Sequence, residues 1–130
     1  MPTYEFSCEV QPQHLSDQSD PARGVYAFSY TITIRNTGQV TAQLIARHWV
    51  ITDGAGRTEE VKGLGVVGHQ PLLKPGESFQ YTSGTQLRTA SGIMRGSFFV
   101  VAEDGERFEA EVPAFVLDAT GPGHPGRVLH

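Results

Sequence analysis

Residues 26–35, YAFSYTITIR, constrain the fold of this chain more than any other stretch. Tyr26, Phe28, Tyr30, Ile32 and Ile34 occupy one phase of a period-two repeat; Ala27, Ser29, Thr31, Thr33 and Arg35 occupy the other. Successive side chains of an extended strand point to opposite faces, so this run buries one face and wets the other. Branched and aromatic side chains suit such a pleated, half-buried surface. An apolar sheet face needs a second layer to cover it.

The alternation recurs along the chain. Tyr4, Phe6, Cys8 and Val10 alternate with Glu5, Ser7 and Glu9, which predicts a first strand over 4–10. The polar, turn-rich residues 11–24 then read as a long loop. Residues 40–52 read as a strand between the turn signals NTG and DGAG. A helix is the rival there, because Ala, Gln, Leu and Arg tolerate one, but Val50, Ile51 and Thr52 favour a strand. RTEEVKGLG reads as a short strand ending at its glycines, and a strand with Phe79 and Tyr81 on one face follows Pro75-Gly76.

The strongest hairpin surrounds Asp104-Gly105, a favoured turn pair. Two registers are open. A two-residue turn pairs Val101 with Phe108 and Phe99 with Ala110; a three-residue loop pairs Ala102 with Phe108 and Val100 with Ala110. Residues 98–101, FFVV, are apolar in both phases, which predicts a central strand covered on both sides. The abundance of turn residues, 15 Gly and 8 Pro, fits many short strands. The expected fold is all-β: a two-sheet immunoglobulin/fibronectin-III-like sandwich of about seven or more antiparallel strands. A closed barrel is the runner-up. One domain over 1–118 and a flexible tail over 119–130 are expected.

Net charge is −4 and lysine occurs only at Lys62 and Lys74, which argues against generic nucleic-acid binding. The single cysteine, Cys8, permits no intrachain disulfide and points to a reducing compartment. The N-terminal residues have neither a basic start nor an apolar run, and no stretch approaches the ~20 apolar residues of a membrane span. A cytoplasmic protein without membrane insertion is expected.

Gly63, Gly65 and Gly68 stand in the order G-x-G-x-x-G. In a dinucleotide-binding fold these glycines close a strand and open a helix whose N-terminus meets the pyrophosphate. Pro71 and Pro75 forbid a useful helix here, and the acidic residue due about 20 positions on is missing, since position 88 is Arg88. The glycines then serve backbone geometry, letting the loop wrap a sandwich edge and tuck Val66 and Val67 inside. The sharper alternative is an anion nest over residues 62–69. In it Lys62, Gly63, Gly65, Val66, Val67, Gly68 and His69 hold a phosphorylated small molecule, a nucleotide or pyrophosphate.

The five histidines show no close ligand spacing, so no metal site and no cofactor is expected. Cys8 reads as a core residue, Ser83 lies outside any nucleophile elbow, and adjacent acids such as Glu59-Glu60 point to opposite strand faces. No catalytic residue is expected, and no enzyme. Trp49 and Arg47 share a phase: either a core tryptophan with an arginine along its edge, or an exposed patch for a partner protein.

Residues 47–87, together with GIMRGSFFV and RFEAEVPAFVL, resemble the bacterial ApaG (CorD) family from about Tyr4 to Leu117. The motifs carrying the resemblance are R-H-W, E-V-x-G-x-G-V-V-G, P-G-x-x-F-x-Y-x-S-G and P-x-F-x-L. It implies a fibronectin-III/immunoglobulin-like sandwich and an association with cobalt and magnesium efflux. Its use as an appended domain of eukaryotic F-box proteins implies an unknown protein partner. The family's glycine motif falls on Gly63, Gly65 and Gly68. An exposed sheet edge would also allow homo-oligomers by strand addition.

Overall fold

The computed structural model describes residues 2–119. Its strands are β1 (Phe6–His14), β2 (Tyr26–Asn36), β3 (Ala42–Asp53), β4 (Thr58–Leu64), β5 (Leu72–Leu73), β6 (Ser78–Leu87), β7 (Ser91–Ala102) and β8 (Arg107–Asp118). They form two antiparallel sheets, one ordered β1-β2-β6 and one ordered β4-β3-β7-β8 with β5 added to β3. The two-sheet sandwich is as expected, and its eight strands fall within the expected seven or more. The only helical turns among the described residues are 3₁₀ segments at Ser16–Gln18 and Pro21–Arg23.

The inner faces follow the alternation. Phe28, Ile32 and Ile34 of β2 meet Leu44 and Trp49 of β3 and Phe98 and Val100 of β7, all buried. Trp49 is the centre of an aromatic cluster, edge-on to Tyr30 at 5.6 Å, Phe98 at 5.9 Å and Phe115 at 6.2 Å. Such edge-to-face pairs add about 0.5–1.5 kcal/mol each beyond area burial. At the β2 end, the buried Asn36 donates from Nδ2 to the carbonyls of Val40 and Leu73 and accepts from the Gly38 amide. One side chain thus fastens the β2–β3 turn to β5.

Three expectations need correction. β1 does not stop at Val10: it pairs with β2 as far as His14↔Phe28, because the long neighbour supplies a continuous ladder. Pro12 is tolerated because β1 is an edge strand. The β7–β8 hairpin adopts neither proposed register: Val100 pairs with Phe108 and Phe98 with Ala110. Its loop is Glu103-Asp104-Gly105, closed by the Gly105 amide on the Ala102 carbonyl and the Ala102 amide on the Glu106 carbonyl. Gly105 has φ 91°, and the Asp104 carboxylate accepts from the Glu106 amide. This type I turn with a glycine bulge twists the strands and moves the pairing by one. Finally, β7 is central but not covered on both sides. Phe98 and Val100 are fully buried, whereas Phe99 is 36 % exposed on the outer face.

The two flanks of the sandwich close differently. On one, β1 meets β8: Phe6 packs edge-on to Phe108, and the Tyr4 hydroxyl donates to the Asp104 carboxylate at 2.5 Å. On the other, β4 and β6 are not paired with each other, and the glycine-rich loop after β4 lies over the gap.

Candidate functional site

The loop begins where β4 runs out opposite β3, with Arg47 paired to Gly63 and Ala46 to Leu64. Arg47 shares the inner phase with Trp49. Its guanidinium lies across Gly63, where a Cβ would stand 2.7–2.8 Å from three of its atoms. From there Nη1 donates to the carbonyls of Leu64 at 2.9 Å and Gly65 at 3.1 Å. Gly65 must also be glycine: its φ is 66°, and a Cβ would meet the His69 carbonyl oxygen at 2.5 Å.

Residues 66–69 form a tight turn closed by reciprocal backbone bonds, Val66 N–H to His69 O at 2.7 Å and His69 N–H to Val66 O at 2.9 Å. Both central residues have positive φ, Val67 at 42° and Gly68 at 84°, as a type I′ turn demands. A β-branched residue there is strained. Val66 points inward and is buried, but Val67 is 51 % exposed, so only one of the two valines expected inside is there. No helix follows Gly68; the chain passes into β5.

The anion-nest residues are therefore distributed. The amides of Gly65, Val66 and His69 already donate to carbonyls of Ile45, His69 and Val66. Lys62 pairs with His48 across the outer face, whereas the His69 ring lies 5.6 Å from Phe79 of β6. The protein-contact pair also needs correction. Trp49 is buried at 3 % exposure, because its phase of β3 faces the other sheet; Arg47 clamps the loop from within.

Beneath the 66–68 turn lies an inter-sheet cavity of about 180 Å³. Tyr30 and Ser83 enter it from directly paired positions on β2 and β6, with Tyr81 beside them. Arg47 and Trp49 face them from β3. Tyr30 and Ser83 stand directly opposite each other in the β2–β6 register. The Tyr81 hydroxyl is buried and has no hydrogen-bond partner in the protein. Burial pushes both phenols above the ordinary tyrosine range; the Arg47 charge offsets only part of that.

A second concavity, of about 480 Å³, lies on the outer face of the five-stranded sheet. Its row Leu64–Ala46–Phe99–Glu109 runs straight across four strands. Leu64 is 75 % exposed beside the exposed Phe99. His48 contacts the Glu60 carboxylate at 2.5 Å on the same face, and that bond, with Lys62 nearby, holds Glu60 below the usual carboxylate range. Sequence reasoning missed this surface, although the apolar outer phase of FFVV was its signal.

Among the described residues, no group of three or more His, Cys, Asp or Glu side chains is placed to hold a metal ion. No helix among them is long and apolar enough to cross a membrane. The thiol of Cys8, partly buried, is pushed up to about 12 by desolvation.

The family model described as the ApaG domain matches residues 16–102. Protein ApaG of Acidovorax sp. (strain JS42) is 66 % identical over 137 aligned positions, covering 100 % of both chains. Protein ApaG of Ralstonia nicotianae is 59 % identical, covering 90 % of this chain and 94 % of its own. Among solved structures, a Bordetella pertussis protein described as ApaA superposes with a TM-score of 0.89 at 50 % identity, covering 92 % of this chain and 97 % of its own.

Proposed function

The chain belongs to the ApaG family, and on that premise we propose that it is a non-enzymatic binding module that docks a protein partner on the outer face of its five-stranded sheet. The observation that carries this reading is the row in which Leu64 of the edge strand β4 and Phe99 of β7 stand exposed on either side of Ala46, on the outer face of the sheet. A central apolar patch inside a polar rim is the anatomy of a protein interface. The rim mixes both signs, Glu60, Glu109 and Glu111 with Lys62, Arg95 and Arg107, so the complementary partner presents an apolar side chain ringed by charges of both signs. The family's association with cobalt and magnesium efflux would then run through that partner, and calorimetry with either ion should give heats equal to buffer blanks.

A photo-crosslinker at Leu64 should capture one defined protein that a crosslinker at Thr31, on the opposite sheet, does not. Leu64→Glu combined with Phe99→Glu should abolish the capture by a probe placed at Lys62 without altering the far-ultraviolet dichroism. Equal capture from both sheets, or capture that survives the double substitution, contradicts the proposal.

The alternative is a phosphorylated small molecule held by residues 62–69. Its support is the glycine spacing with Lys62 and His69 nearby. The internal bonds of three loop amides and the placement of Lys62 on the outer face weigh against it. Pyrophosphate that moves the amide resonances of Gly63–His69 at millimolar concentration would favour it over the docking reading.

A further inference from the structure

We infer that the cavity beneath the 66–68 turn is a binding site for a small monocarboxylate. The Tyr81 ring faces the core, the residue is 7 % exposed, and its hydroxyl is buried beside the cavity without a protein acceptor. A buried hydroxyl left unpaired is costly, and the great majority of such groups are satisfied. The nearby Tyr30 and Ser83 hydroxyls line the same cavity but make no hydrogen bond to the Tyr81 hydroxyl.

The charge of the site selects the ligand. Among the described residues, Arg47 is the sole charged side chain lining the cavity, with Tyr30, Tyr81 and Ser83 as its hydroxyl groups. Raised phenol pKa values keep both tyrosines protonated, hence able to donate. One positive charge is neutralised by one negative charge. A carboxylate leaves the site neutral, whereas a phosphate dianion or a pyrophosphate leaves buried charge uncompensated. A planar carboxylate also matches guanidinium geometry. The Trp49 ring and Val66 supply an apolar wall for a short hydrocarbon group. The volume, about 180 Å³, far exceeds the ~10–15 Å³ that one water requires.

The position of the site explains the form of its roof. Arg47 reaches the cavity because Gly63 has no side chain, and its Nη1 holds the carbonyls at which the loop turns. The exposed Val67 marks where the roof must lift for entry. This site lies between the sheets, distinct from the outer-face docking surface although Arg47 borders both.

The test is an amide NMR titration of the full chain with isobutyrate, isobutyramide, inorganic phosphate and pyrophosphate in parallel. Isobutyrate should shift Val66–Gly68 and Ser83 saturably, and the neutral amide and both phosphates should not. Tyr81→Phe should weaken isobutyrate by about tenfold, the value of one charge-assisted hydrogen bond, without lowering the unfolding midpoint. Absence of saturable shifts with isobutyrate, equal shifts with isobutyramide, or unchanged affinity in Tyr81→Phe each overturns the assignment. Shifts with pyrophosphate alone overturn it too, in favour of the loop-amide alternative.

Discussion

At the scale of single residues, the glycine loop is held by a few atoms whose roles separate by mutation. Val67 sits at φ 42°, a region costing an L side chain about 1–2 kcal/mol but tolerated by Asn. Val67→Asn followed by Gly68 recreates the favoured Asn-Gly turn, and should raise stability by about 1 kcal/mol in urea unfolding. The opposite outcome awaits Asn36, whose side chain satisfies two carbonyls and one amide in the interior. Asn36→Leu should cost about 2–4 kcal/mol, because those partners are left without water. Neither role was legible in the sequence. NTG announced a turn, but not that its first residue reaches across to β5.

At the scale of elements, β7 is the strand on which the rest is aligned. It lies between β3 and β8, and its Gly96 lets β3 come close: a Cβ there would stand 2.2 Å from the His48 carbonyl oxygen and 2.6 Å from the Trp49 ring. Gly96→Ala should therefore destabilise the protein by at least about 3 kcal/mol, since backbone, not a flexible side-chain end, must yield. Thermal unfolding should show it. Most strands were legible because their alternation is intact and their turns carry Gly or Asn. The β7–β8 register was not: four consecutive apolar residues satisfy either phase, and the bulge at Gly105 decides by turn geometry. The outer surface stayed hidden for the same reason. FFVV reads as a strand covered twice, and the sheet covers it once.

At the scale of the molecule, pH links one partly buried thiol to overall stability. Burial raises Cys8 from 9.0 to about 12, so on alkaline titration the unfolded chain loses its proton first. The resulting stabilisation is complete below pH 9 and disappears between pH 9 and pH 12. Cys8→Ala should flatten the loss of stability across that window, read from urea midpoints at successive pH values. Alkylation of Cys8 at neutral pH should be slow in the native protein and fast in urea. The candidate sites divide along the same lines of legibility. The glycine spacing was visible, but what surrounds it is assembled from β2, β3 and β6, which no local pattern brings together. The order of the smaller sheet has one more consequence. Residues 26–35 pair early with β1, but their second neighbour arrives only at 78–87, and the opposing sheet is completed only by β7 and β8. A ribosome that has released residues up to β6 has made Leu44 and Trp49 but not Phe98 and Val100 of β7, so Phe28, Ile32 and Ile34 are only half covered. Closure of the sandwich therefore waits for β7 and β8 to be synthesised.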